Sequence, residues 1–121
     1  MNINEMITAL RRHHDSSRIG MIATHLGVVR GTSRNGQVVT GIEVIYDHGA
    51  LHDIIHDIKS MPGIIDVLVD TSEGRLNIGD EILAVAVAGD IREHVFAALM
   101  DAVNRIKAEA SKKQEFFLET T

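Results

Sequence analysis

The sequence predicts an α+β domain with a mainly antiparallel sheet. Helical and strand-like segments occur in the order helix, two strands, helix, two or three strands, helix. Successive strands are joined by polar or glycine-containing turns, as hairpins require. The helices fall between strand pairs rather than between single strands, which argues against a doubly wound parallel sheet. The 121 residues suit one compact domain, and the single proline, Pro62, sits at a turn rather than in a linker.

Asn2 with Glu5 has the form of a capping box, and Ile3, Met6, Ile7 and Leu10 come after it at helical spacing, so a helix is expected to about His14. Arg18 to Arg30 is rich in β-branched residues and glycine and reads as a strand. A polar turn over Gly31 to Gly36 leads to a returning strand over Val38 to Tyr46, which predicts a hairpin with a basic loop holding Arg30 and Arg34. Asp47 can cap a helix over about Gly49 to Met61, whose apolar face is Leu51, Ile54, Ile55 and Ile58, with Pro62-Gly63 as its stop. Strands are expected at Ile64 to Val69, Gly74 to Ile78 and Glu81 to Ala88. Asp90 and Glu93 form an Asp-x-x-Glu box at the start of the longest helix, which is expected to reach Ala110 and to bury Ile91, Val95, Ala98, Leu99, Ala102, Val103 and Ile106. Residues 111 to 121 read as a polar tail containing Phe116, Phe117 and Leu118.

Composition excludes several functions. Twelve basic residues against seventeen acidic ones leave a net charge of -5, unlike a phosphate-backbone binder. The aromatic residues are Tyr46, Phe96, Phe116 and Phe117, too few for a base-stacking surface. Nucleic acid is therefore not an expected partner. With no cysteine, the chain offers no disulfide, thiolate-bound metal or thiol nucleophile. Apolar stretches fall short of the roughly 18 residues of a membrane span, and the N-terminus lacks an apolar signal core. The expectation is a soluble, cytoplasmic protein that does not engage a membrane.

Cations at element ends form the first candidate site: Arg30, Arg92, Lys107, Lys112 and Lys113. Gathered around a pocket, they suit an anionic, phosphorylated ligand, and a desolvated lysine can act in proton transfer or as a nucleophile. The plainer reading is that helix-end lysines favour the dipole and Arg30 belongs to a solvated loop. Arg92 resists that reading, because a cation in a first helical turn opposes the dipole. Arg92 and Lys107 are also about 22 Å apart along one helix at 1.5 Å per residue. If both serve one small ligand, a second copy must supply one of them.

Histidine forms the second candidate. His48, His52 and His56 recur every four residues, a spacing compatible with metal ligation, yet no third ligand type converges and a surface role is the plainer reading. His25 in an apolar strand reads as a satisfied core residue. Gly74, Gly79 and Gly89 match no phosphate-loop pattern and read as turn residues.

The stretch His25-Leu-Gly-Val-Val-Arg30, its polar loop, and Val38-Val-Thr-Gly-Ile-Glu43 resemble the large, catalytic subunit of molybdopterin synthase, the MoaE family. The resemblance continues through Gly74-Arg-Leu-Asn-Ile-Gly-Asp80, Ile91-Arg92, Phe96, Asp101, Lys107 and Lys112-Lys113-Gln-Glu-Phe-Phe117, and so covers about residues 18 to 117. It implies an α/β hammerhead with an added antiparallel sheet. It also implies a homodimer partnered by a small ubiquitin-like subunit whose C-terminal tail bears a thiocarboxylate. The implied reaction converts cyclic pyranopterin monophosphate to molybdopterin by adding two sulfurs, with no bound cofactor or metal. By position, Lys107 and Lys113 are the implied catalytic residues, with Lys112 as the alternative to Lys113, because the segment from Lys107 to Phe116 is about one residue shorter than in the family. The implied substrate-binding residues are Val28, Val29, Arg30, Ile91, Arg92, Lys107, Lys112 and Lys113. The sequence departs from the family where Ile91 replaces a histidine, where Thr71-Ser72 replaces His-Arg, and where a proline and an aromatic residue are missing between the two lysines. A noncatalytic paralogue that binds a pterin, a phosphate or a partner is the alternative these departures raise.

Overall fold

The computed structural model describes residues 2–119. Helix α1 spans Ile3–Arg11, and a 3-10 turn at Ser16–Arg18 precedes strand β1, Met21–Val28. Strand β2 is Val39–Tyr46, α2 is His48–Lys59, β3 is Ile64–Thr71, β4 is Gly74–Asn77 and β5 is Glu81–Gly89. Helix α3, Arg92–Arg105, runs into a π-helical turn at Ile106–Ala110 and then strand β6, Ser111–Phe117. The strands form two three-stranded antiparallel sheets, ordered β1-β5-β3 and β4-β2-β6. The α+β class and the mainly antiparallel pairing are as the sequence predicts.

The caps of α1 and α2 agree with the sequence. Asn2 Oδ1 accepts from the Glu5 amide at 3.1 Å, and Asp47 Oδ1 accepts from the Ala50 amide at 3.0 Å, each satisfying an otherwise orphaned helix donor. Helix α1 stops at Arg11, short of His14. The cap of α3 differs from expectation: Ile91 occupies that position with no side-chain cap bond. The Asp90 carboxylate instead accepts from the Ile91 amide and pairs with His94 Nδ1, both at 2.7 Å. This pairing holds the Asp90 carboxyl below its usual value, the His94 bond being the main cause.

Two other expectations are corrected. Strands β1 and β2 do not pair as a hairpin but enter different sheets, and only an isolated bridge, Thr32 to Val38, closes their connection. The reason lies in β5, whose Leu83, Val85 and Val87 face one core while Ala84, Ala86 and Ala88 face another. A strand buried on both faces takes the central position, so it claims β1 and β3 as its two edges. The small alanine face lets α1 approach with Met6 and Leu10, whereas the branched face packs under α2 and α3. The supposed polar tail is also ordered: residues 111–117 form β6 and complete the second sheet alongside β2. The last two residues of that expected tail, 120 and 121, lie outside the described residues.

Gly89 shows how tightly α3 meets this sheet. Its backbone lacks the left-handed conformation found at Gly74 and Gly79, but a Cβ there would lie 2.7 Å from Val95 Cγ2 and 2.8 Å from the Gly63 carbonyl oxygen. Close approach, not a turn, is what requires glycine at this position.

Candidate functional site

The two sheets leave a cleft of about 670 Å³ between them, and the π-helical turn closes one side. Ile42, Val44 and Tyr46 of β2, Ile82 and Leu83 of β5, and Ile106 give it an apolar floor. Its rim carries Arg30 and Arg34 from the β1–β2 connection, Lys107 from the π turn, and Lys113 with Glu115 from β6. Four cations against one carboxylate make this a positive cleft in an acidic protein. An apolar floor with a cationic rim suits a flat organic ligand bearing a phosphate or carboxylate.

Local structure explains how each rim cation arrives. At the end of β1 the register slips, so that Gly27 faces Leu83 and Val28 faces Glu81, with Ile82 as the extra residue on β5. A bulge re-aims the side chains beside it, and here Val28, Val29 and Arg30 form one wall of the cleft. The Arg30 guanidinium donates from Nε to the Thr32 carbonyl at 2.8 Å, which folds the side chain back over the loop. Lys107 sits in the π turn, a rare geometry that shifts the side-chain phase relative to the α-helix before it. Arg105 anchors this turn by donating to Asp57 of α2 and to Glu109, each at 2.9 Å. The Asp47 amide then donates to the Ala110 carbonyl at 2.7 Å, securing the turn's exit.

The sheet register distinguishes the two adjacent lysines. Lys113 lies opposite Val44, which is 2% exposed and lines the cleft, whereas Lys112 lies opposite Ile45, which is 55% exposed. Directly opposed residues share a face. Lys113 therefore faces the cleft with Lys107, and Lys112 faces away beside Glu43 and Ile45.

Thus Val28, Val29, Arg30, Lys107 and Lys113 come together, whereas Ile91, Arg92 and Lys112 lie outside the cleft. Ile91, expected to be buried, is 49% exposed because it caps α3 from outside the helix rather than occupying its inner face. Arg34, Thr32, Ser111 and Glu115 are lining residues that the sequence did not mark as site candidates. The alternation of β6, once known to be a strand, is the signal that places Glu115 on the same face as Lys113.

Two titratable groups beside the cleft are displaced from their ordinary behaviour. Burial, aided by the negative charge of Glu73, pushes the Tyr46 hydroxyl up to about 12, so it acts as a neutral donor, reaching the Ile82 carbonyl at 3.4 Å. His25 is pushed down, first by burial and then by the positive charge of Lys107. It is not the satisfied core histidine expected, since its Nε2 is buried without a hydrogen-bond partner. His48, His52 and His56 are all exposed; His48 pairs with Glu73 at 2.8 Å.

No helix among the described residues is long and apolar enough to cross a membrane. The family model described as MoaE protein matches residues 1–109. A molybdopterin synthase catalytic subunit from Ralstonia nicotianae is 33% identical over 97 residues, which are 77% of this chain and 54% of that protein. This chain therefore spans about half the length of that curated relative. The solved MoaE protein of Burkholderia ambifaria superposes with a TM-score of 0.76 at 28% identity, covering 98% of this chain and 82% of the other. A Helicobacter pylori structure, described as a complex of subunits 1 and 2 of molybdopterin-converting factor, shares the fold with a TM-score of 0.70 at 17% identity, covering 97% and 80%. The hammerhead architecture expected from the sequence is the architecture found, and the chain belongs to the MoaE protein family.

Proposed function

We propose that this protein is a molybdopterin synthase large subunit, a sulfurtransferase that converts cyclic pyranopterin monophosphate to molybdopterin. The observation that carries the reading is the convergence of Arg30, Lys107 and Lys113 on an apolar-floored cleft in a member of this family. The floor suits a pterin ring, and the rim cations suit its phosphate. Because the chain has no cysteine, the sulfur arrives on a partner, the thiocarboxylate of a small ubiquitin-like subunit. The Helicobacter pylori structure, a complex of two different subunits, supports a partner of that kind. In this reading Lys107 is the catalytic lysine, Lys113 assists it, and Val28, Val29 and Arg30 form the substrate wall.

Ile91 and Arg92 enter the site from a second copy. What supports a homodimer is that Arg92 lies outside the cleft of its own chain, in an exposed first helical turn beside apolar residues. Lys112, on the other face of β6, then acts on the incoming tail rather than at the reacting centre.

The test mixes the protein with thiocarboxylated small subunit and cyclic pyranopterin monophosphate and assays the dithiolene product. Wild type is expected to turn over, and Lys107→Ala to lose about 10²–10⁴-fold in rate, the range for a proton-transfer group. No product from wild type overturns the activity; undiminished product from Lys107→Ala overturns the role of the lysine. The exposed Ile91, where the family resemblance implies a histidine, favours one second reading, a noncatalytic paralogue that binds the phosphorylated pterin or the small subunit. Calorimetric binding of either ligand without turnover would select it.

A further inference from the structure

Among the described residues, one buried side-chain polar atom has no hydrogen-bond partner, and it is Nε2 of His25. His25 lies on β1 opposite Val85, on the face shared with Met21 and Ala23 that packs toward α3. A Cβ built on Gly27 would come within 3.3 Å of this Nε2 and 3.6 Å of the Leu83 carbonyl oxygen. The imidazole therefore leans along the strand over Gly27, toward the end of β1 where Val28, Val29, Arg30 and Leu83 line the cleft. Glycine at position 27 leaves room for the ring; any side chain there would crowd Nε2.

A buried, unpartnered acceptor or donor carries its full desolvation penalty, so a partner is expected in the working state. The ionisable groups around this end of β1 are Lys107 of the π turn, Arg30 and Arg34 of the β1–β2 connection, Tyr46 of β2, Lys113 and Glu115 of β6, and Glu81 of β5 opposite Val28. Lys107 is the one whose charge acts on His25. An ammonium has three donors and no acceptor, while a neutral imidazole offers one lone pair. Next to a cation, the tautomer with its lone pair on Nε2 and its proton on Nδ1 is the favoured one.

We propose that His25 is a positioning residue for Lys107: its Nε2 lone pair accepts a hydrogen bond from the Lys107 ammonium and holds it over the Val28 to Arg30 wall of the cleft. Two ammonium protons remain to face an anion in the cleft. The coupling of the two side chains stands on its own, whereas its consequence for turnover rests on the proposed function.

Two measurements on the full chain test it. In the first, the His25 ring nitrogens are monitored by NMR across pH in wild type and in Lys107→Met, a change at an exposed side chain. The expected result is an Nδ1-protonated neutral ring in wild type, with a midpoint below the ordinary 6.5 that moves upward in Lys107→Met. A ring protonated on Nε2, or a midpoint indifferent to Lys107→Met, overturns the proposal. In the second, turnover with thiocarboxylated small subunit and cyclic pyranopterin monophosphate is compared in His25→Leu and His25→Gln. His25→Leu is expected to lower kcat about tenfold with KM within about twofold, as misplacement of a reacting group does. His25→Gln, whose amide oxygen can accept the same bond, is expected to recover most of the rate. Equal losses in both variants, with folding intact by circular dichroism, overturn the positioning role. If wild type fails to turn over, the proposed function falls, and the NMR titration still decides the coupling.

Discussion

The two ends of α3 are built differently. At its C-terminal end the chain tightens into a π turn, buries Ile106 and Ala110, and is tied to α2 by the Arg105–Asp57 pair. At its N-terminal end there is no side-chain cap and Arg92 faces solvent, and on the outer face that continues from it Phe96 and Met100 are 56% and 68% exposed. One end fixes a lysine over a cleft of the same chain. The other presents an arginine and an apolar stripe that nothing among the described residues covers. Packing is thus concentrated where Lys107 is held, and the exposed end matches the proposal that Arg92 serves a neighbouring copy.

The largest contrast is expected in stability. Ile106→Ala removes a wholly buried side chain beneath the lysine and should cost about 2–5 kcal/mol in denaturant unfolding, whereas an exposed position such as Met100 should change by less than about 0.5 kcal/mol in the isolated chain. A larger loss at Met100 that depends on protein concentration would sharpen the comparison by showing that the stripe is buried between copies. Next comes Arg92→Ala: if the site is shared between copies as proposed, it is expected to lower turnover about ten- to hundredfold through loss of a charge-assisted contact with a phosphorylated substrate. Mixing unfolded Arg92→Ala and Lys107→Ala chains and refolding them together should restore part of the activity, because one site in each mixed dimer regains both residues. No recovery would break the reading of a site shared between copies.

A smaller difference separates the adjacent lysines of β6. Lys113→Ala, on the cleft face, should reduce turnover about tenfold, and Lys112→Ala by much less, since exposed charges act weakly across solvent. Equal effects would break the distinction that the sheet register draws between the two faces of β6. The smallest effect at neutral pH is expected at Tyr46. Tyr46→Phe loses only a 3.4 Å bond to the Ile82 carbonyl and should cost under about 1 kcal/mol at pH 7. Because the folded-state hydroxyl is raised from 10.0 to about 12, the stability it contributes is complete below pH 10 and lost as pH rises toward 12. Chemical unfolding across that window should show the alkaline decline in wild type and a flatter profile in Tyr46→Phe.

Most elements were legible because periodicity and capping act locally. Asn2 and Asp47 cap the helices they precede, and Leu51, Ile54 and Ile58 face inward at the spacing that predicts it. Strand partners were less legible. The alternation in β2 says which side chains turn inward but not which strand lies beside it, so the adjacency of β1 and β2 in sequence wrongly suggested a hairpin. Residues 111–117 read as a tail because Ser111-Lys-Lys-Gln-Glu is polar, and their order comes from pairing with β2. The cations were legible as a set, but the chain order could not separate Lys112 from Lys113, which differ only in which face of a sheet they occupy.

The sequence by itself determined the class of fold, the helix starts, the exclusion of thiol chemistry and the separation of Arg92 from Lys107 along one helix. These depend on composition, on a period, or on a rise per residue. Only the tertiary structure decided that β5 is central, that Arg30, Lys107 and Lys113 share one cleft, and that Nε2 of His25 is buried without a partner. Each of these depends on which distant segments pack together, and the free energy of that packing is a property of the whole chain rather than of any window within it.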